Sequence, residues 1–307
     1  MKQNMNRFII IFIITLFIAC SPKTIDKNGG IVIAIDLKNG GNKNIEVIKH
    51  RLEIFGLKDW NLIVKDNGII DIEIPDYNDT LVIRQLLSKK GNFSIEETYN
   101  NPEIYEFLLK INERIVLGQD LDTNDFTMKH PFFNILIPNV NNEGKVINSP
   151  IIGYSKSNDT SSVMSQFDKF KAIIPKNLVV KWGMPIQKDI FPLIAIRKLT
   201  NTPITSNMIE KSNISKGFQE NTFEVNVELK KEFVNNLLML SKENIGRAIA
   251  IIIDDIVYSY PQVQMEINGG KASISSNFDY NEALLLSSFL NSGILDVKIL
   301  NIKLITK

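Results

Sequence analysis

Cysteine is almost absent: the 307 residues contain one, Cys20, which excludes an intramolecular disulfide and any cysteine-rich metal site. Histidine is as scarce. His50 lies in a helical pattern and His130 precedes Pro131, and no H-x-x-x-H or C-x-x-C spacing surrounds either, so neither a metal centre nor an activated nucleophile can be assembled from them. Charge of one sign is also lacking. The 35 basic and 34 acidic side chains leave +1, and setting aside Lys2 and Arg7 turns this to −1, which gives no electrostatic reason for a nucleic-acid partner. The glycine pairs at 29–30, 40–41 and 269–270 lack the spacings of a phosphate cradle, so no nucleotide or other cofactor is expected. Beyond the N-terminus the longest apolar run, Ala248 to Ile253, is strand-sized, far short of the ~18 to 20 residues that span a bilayer.

What is present begins with a targeting pattern. Lys2 and Arg7 precede an apolar run from Phe8 to Ile18, interrupted by Thr15, and Ala19 places a small residue before Cys20. Phe17-Ile18-Ala19-Cys20 resembles a bacterial lipobox, which implies a signal peptide over residues 1–19, cleavage before Cys20 and acylation of that cysteine. An uncleaved anchor, or an ordinary signal with an incidental cysteine, is the competing reading. Either places the body of the protein outside the cytoplasm, and the absence of an acidic cluster after Cys20 favours a lipoprotein facing the periplasm. Residues 20–30, polar and containing Pro22, Gly29 and Gly30, read as a tether.

The 44% hydrophobic content and a length sufficient for about two domains predict a globular α+β chain. Ile31 to Leu37 reads as a strand. Ile45, Ile48, Leu52 and Phe55 share a helical face behind an Asn44 cap, and Gly56 stops that helix. Asp66-Asn67-Gly68 joins two alternating strands, Asn78 or Asp79 caps a second helix ended by Gly91, and Asn92 to Glu97 reads as a fourth strand. The order β-α-β-β-α-β predicts a ferredoxin-like sheet with both helices on one face. Residues 101–200 look irregular, with a helix over Tyr105 to Ile115 and short apolar islands, and short elements are expected within them because a structureless connection of that length is uncommon in a compact domain. Leu229, Phe233, Leu237 and Leu240 then mark an amphipathic helix.

The densest signal is Asn244 to Gly293. Ala248 to Ile253 and Ile256 to Tyr260 form a hairpin around Asp254-Asp255, a turn pair and not paired catalytic carboxylates. Asn268-Gly269-Gly270 makes a second turn into a further strand, Asp279 and Glu282 form a capping box, and Gly293 ends the last helix, so a β-β-β-α unit is expected.

These motifs resemble the head subdomain of the extracytoplasmic domain of SecD, the Sec translocation accessory family. The G-x-x-x-A-x-(V/I)-(L/I)-D pattern is met by Gly246, Ala250, Ile252, Ile253 and Asp254, and V-x-S-x-P by Val257, Ser259 and Pro261. Gly269, Gly270, Ile274, Ser276 and Phe278 meet the next segment, and Glu282, Ala283, Leu290 and Gly293 the final helix. Toward the N-terminus, Asp36-Leu37 with Gly40-Gly41 resembles the D-L-x-G-G opening, one residue longer. Ile72 to Asp76 resembles V-E-L-P-G with Asp76 for glycine, and Asp296 stands where proline is usual after the last helix.

The resemblance implies a base at residues 31–100 and 294–307, a head at 201–293, and the segment 101–200 as an insertion leading into the head. It implies family-motif turns at Gly40, Gly41, Gly269, Gly270 and Pro261, and a hinge at two crossings, Thr98 to Pro102 and Gly293 to Asp296. It also implies a non-catalytic role, with translocating or unfolded polypeptide and Sec membrane components as partners and the membrane reached through Cys20. With no later run of spanning length, the expectation is a stand-alone lipoprotein without the family's transmembrane region. A structural envelope lipoprotein that keeps the fold without acting with Sec is the alternative.

Overall fold

A computed structural model describes residues 23–118, 130–198 and 203–306. In chain order its helices are α1 (Ile25–Asn28), α2 (Gly41–Ile54), α3 (Thr80–Ser88), α4 (Asn101–Leu117), α5 (Pro131–Ile135), α6 (Thr160–Lys169), α7 (Val234–Glu243) and α8 (Tyr280–Ser292). The strands are β1 (Gly30–Asp36), β2 (Asn61–Val64), β3 (Ile69–Pro75), β4 (Phe93–Thr98), β5 (Ile137–Pro138), β6 (Ile151–Lys156), β7 (Leu178–Trp182) and β8 (Ile190–Arg197). They continue as β9 (Ile204–Thr205), β10 (Ile209–Lys216), β11 (Phe223–Leu229), β12 (Ile249–Ile253), β13 (Ile256–Ser259), β14 (Lys271–Phe278) and β15 (Lys298–Ile305). The architecture is α+β.

The first sheet has the order β15-β1-β3-β2 and is antiparallel throughout. Alternation decides its faces: Ile31, Ile33 and Ile35 of β1 and Ile70, Ile72 and Ile74 of β3 are all buried against α2 and α3. Burying each such side chain contributes about 1.5–3 kcal/mol. The hairpin between β2 and β3 turns where the sequence expects it, with Asn67 at φ 61 and Gly68 at φ 73. The expected fourth partner is not there. β4 leaves this sheet and pairs with β12, β8 and β9, while the edge beside β1 is filled by β15 from the far end of the chain. Local alternation marks β4 as a strand but carries no information about which sheet accepts it.

Within residues 101–200 the described part, 101–118 and 130–198, is built of short elements, as expected, and they pack on one another. α4, α5 and α6 enclose a separate core with β6, β7 and β8, in which Ile104, Leu108, Phe132, Ile152, Val163 and Leu193 are buried. Here Asn and Ser complete backbone bonds: Asn139 donates to Ile151 O at 2.9 Å and Ser155 to Ile135 O at 2.7 Å. Their abundance therefore reflects hydrogen-bond satisfaction and not irregularity.

The largest sheet curls on itself. β7 pairs β8, β8 pairs β4, β4 pairs β12 and β12 pairs β13, and Gly183, just past β7, bridges Val257 of β13. Lys181 of β7 donates to Asp255 at 2.6 Å across the closure. Ile194, Ile196, Ala250, Ile252 and Val257 fill the enclosed side. β12 has a second face, Ile249, Ile251 and Ile253, in the core that holds the first sheet. Burial on both faces is why Ala248 to Ile253 reads as an unbroken apolar run.

The third sheet is β10-β11-β14. β14 therefore does not extend the β12–β13 hairpin: the expected β-β-β-α unit is divided between two sheets, because Asn268 to Gly270 redirects the chain toward β11. Leu229 ends β11, so the helix expected from Leu229 begins only at Val234. α8 opens on the expected capping box, Glu282 N–H donating to Asp279 at 2.8 Å and Asp279 N–H to Glu282 at 3.0 Å. It is buried nearly all round, with Ala283, Leu285, Leu286, Phe289 and Leu290 wedged between α2 and the third sheet. One apolar core thus runs from the first sheet through α8 into the third.

Candidate functional site

α2 presents Val47, Ile48 and Leu52 to the first sheet, and the neighbouring turn of the same helix brings in Arg51, which is fully buried. Its guanidinium donates to Leu86 O at 2.9 Å, Lys89 O at 2.5 Å and Lys90 O at 2.7 Å, where the chain leaves α3 for β4. It also donates to Ser292 Oγ and Gly293 O, both at 3.1 Å, where the chain leaves α8 for β15. Phe289 lies under it, ring centroid 4.8 Å from Cζ. One side chain therefore ties both covalent crossings between the first sheet and the rest of the molecule. The partners are four carbonyls and the Ser292 hydroxyl at two helix C-termini, the end that favours a cation. Burial lowers the guanidinium pKa to about 10, opposed by the charge of Asp254, so Arg51 stays protonated at neutral pH.

The opposite side of the first crossing is held by Asp254. In the β12–β13 turn Asp254 and Asp255 take φ 48 and 69, a geometry that aspartate tolerates. The Asp254 carboxylate accepts from Gly91 N at 3.2 Å and Asn92 N at 2.9 Å. Gly91 has φ 74, and a Cβ there would lie 2.8 Å from Arg51 Nη2 and 3.0 Å from Phe289 Cβ. Glycine is what lets the chain pack closely beside both the guanidinium and Phe289 Cβ.

The second crossing is fixed from α2 as well. Asn44, expected as a cap, lies inside the helix and is buried; it donates to Leu37 O at 3.0 Å and Asp296 O at 2.7 Å. Leu295 N–H donates to Lys90 O at 2.9 Å, joining the two crossings directly. The Asp296 carboxylate pairs with Lys38 at 2.9 Å and Lys90 at 3.6 Å, and its pKa is lowered by the Lys38 hydrogen bond and charge first and Lys90 second.

Of the residues expected at a hinge, Gly293 and Asp296 thus lie at a crossing. Thr98 and Pro102 do not: Thr98 is fully buried in β4, its hydroxyl donating to Ala248 O at 2.7 Å, and Pro102 is in the first turn of α4. The chain departs the first sheet earlier, at Lys89 to Asn92. Among the motif turns, Gly40 packs under Asn44, where a Cβ would meet Nδ2 at 2.0 Å, and Gly41 begins α2. Gly269 and Gly270 enter β14, and Pro261 O accepts from Ile249 N at 3.0 Å. Cys20 lies outside the described residues. Arg51 was not legible in sequence; one arginine beside a helical core stripe is indistinguishable from a solvated one.

Strand edges are the other surfaces able to act. Among the described residues, no helix is long and apolar enough to cross a membrane and no group of three or more acidic or histidine side chains could hold a metal ion. Edges belong to β2 and β15 in the first sheet, β10 and β14 in the third, and β5 and the β7–β13 margin in the curled one. The β10 edge is occupied, since Ser212 N–H donates to Asn291 Oδ1 at 2.7 Å and Ser212 O accepts from Asn291 Nδ2 at 3.0 Å. At β13, Val257 O accepts from Met184 N at 3.0 Å.

Comparison with known proteins places these features. Residues 192–297 match the family model of the SecDF P1 head subdomain. The protein translocase subunit SecD of Leptotrichia buccalis is 39% identical over 75 residues, 24% of this chain and 19% of that protein. The SecD subunit of Endomicrobium trichonymphae is 21% identical over 267 residues, 87% of this chain and 46% of that protein. A crystal structure of SecDF in a super-membrane-facing form shares the fold with TM-score 0.50 at 15% identity, over 92% of this chain and 31% of that one. The chain spans less than half the length of each of these relatives.

Proposed function

We propose, from a chain that is related to SecD along most of its length and carries a SecDF P1 head at residues 192–297, that the protein is an extracytoplasmic accessory of protein translocation. It holds extended polypeptide, or a Sec membrane partner, without catalysing a reaction. The observation that carries this reading is the kinship with translocase subunits over 87% of the chain. In support, free strand edges supply main-chain hydrogen-bonding groups, which recognise extended backbone whatever its side-chain sequence. The finer parts of the reading are acylation at Cys20, a position at the periplasmic face of a membrane, and a working motion at the crossings that Arg51 clamps, with Gly293 and Asp296 in the second of them.

The test is an in-cell photo-crosslinking scan with the probe placed at Tyr260, Gly269, Leu300 and Leu304, followed by identification of what is captured. Capture of nascent exported chains or Sec subunits is the expected result. Capture of mature envelope proteins alone would replace it with the scaffold reading. Radiolabelled palmitate incorporation that survives Cys20→Ser would remove Cys20 as the acylated residue.

A further inference from the structure

β15 ends the first sheet: one of its sides bonds β1 and the other pairs with no strand. The bond from Asp76 N–H to Gly29 O sets the alternation in β1, turning Ile31 and Ile33 toward β3 and leaving Gly30, Val32 and Ala34 to bond β15. Their partners are Ile305, Lys303 and Asn301. Ile302 and Leu304 therefore aim N–H and C=O away from the sheet. A bulge beside Leu300, opposite Ala34 and Ile35, ends the regular run on one side, leaving Asn301 to Ile305 as a continuous edge.

The competing edges are weaker. β5 has two residues and β2 four. β10 is engaged at Ser212 by Asn291, β13 at Val257 by Met184, and β14 lies beside β13 with Lys271, Ser273 and Ser275 exposed along it. The edge at β15 differs in kind. On the core side it shows Ile302 and Leu304, the latter 48% exposed; on the other it shows Asn301 and Lys303, with Lys298 beyond the bulge.

We infer that the β15 edge, Asn301 to Ile305, is where extended polypeptide is taken up, and that the preferred segment alternates apolar residues with acidic ones. This rests on the reading of the protein as a polypeptide-binding accessory and names the surface and the substrate class. The added strand bonds the outward main-chain groups of Ile302 and Leu304, its apolar residues extend the inner face beside those side chains, and a carboxylate on its other face lies against Lys303.

The experiment is fluorescence anisotropy of the protein with labelled peptides TVEVEVT and TVKVKVT. The native chain is expected to prefer the glutamate peptide. Leu304→Pro deletes an outward N–H without touching the β1 ladder and is expected to weaken binding at least ~10-fold with an unchanged thermal midpoint. Lys303→Glu, on an exposed side chain, is expected to reverse the peptide preference, and it decides the matter if Leu304→Pro loses the fold. Native affinity in both variants would overturn the β15 assignment while leaving polypeptide binding intact. Absence of binding by either peptide, together with no crosslinks to exported chains, would overturn the functional reading itself. Self-association that Leu304→Pro abolishes would assign the edge to a second copy and overturn the inference.

Discussion

Removing the Arg51 guanidinium should detach both crossings at once. Arg51→Ala deletes five hydrogen bonds and leaves Leu86, Lys89, Lys90 and Gly293 carbonyls beside a cavity over Phe289. Bonds to a charged donor contribute about 1.5–3 kcal/mol each, but burial of the cation offsets part of the sum, as its lowered pKa records. A buried acceptor left without a donor costs about 1–3 kcal/mol, and with water able to reach some of the freed carbonyls we expect about 4 kcal/mol in all. For a chain of this size that corresponds to a fall in Tm of roughly 6 °C. Arg51→Lys keeps the charge but not the planar fork, and should recover about half of the loss. Urea unfolding followed by circular dichroism measures both. A change below about 0.5 kcal/mol for Arg51→Ala, within the range of ordinary surface substitutions, would refute the clamp.

Other perturbations test neighbouring contacts. Gly91→Ala forces a Cβ into the guanidinium and Phe289 at positive φ, and should cost about 2 kcal/mol by the same assay. Thr98→Val keeps the shape but leaves Ala248 O without its hydroxyl donor; about 1–2 kcal/mol is expected, with crosslinking yield unaffected if Thr98 is not a pivot. Asp255 is held below its ordinary pKa of 3.8, first by the hydrogen bond from Lys181 and then by its charge. A carboxylate with a depressed folded-state pKa stabilises above its unfolded value and loses that contribution as pH falls through the folded one, so Asp255→Asn should flatten the stability profile below pH ~4. The pair is exposed on the aspartate side, which limits the effect to about 0.5 kcal/mol.

Much of the local structure was legible because it is decided locally. Asn67-Gly68, Asp254-Asp255 and the Asp279–Glu282 box each impose a backbone geometry that few other residues satisfy, and each stands where the sequence puts it. Partnership between distant strands was not legible. β4 alternates like any half-buried strand, and β15 does so as well, so pattern alone could not show that β15 joins the first sheet and β4 leaves it. The same limit hid the site. Asp254 reads as a turn residue, Gly91 as a helix stop and Arg51 as a surface charge, and their function as one clamp exists only after the two crossings are brought together. In residues 101–200 only short elements were legible, for a different reason: polar residues that complete buried backbone bonds look, in one dimension, like loop.

The strand that completes the first sheet has a consequence for how the chain is made. Gly30 pairs with Ile305 and Asp36 with Lys298, so β1 is synthesised almost an entire chain ahead of its neighbour. Closing so distant a pairing is slow, because the entropy of a very long loop must be overcome before the contact forms. Until Lys298 to Ile305 arrive, the isoleucine-rich β1 presents an open edge in the newly made polypeptide. A nascent chain of this protein is therefore itself an unfinished β-sheet until Lys298 to Ile305 pair with β1.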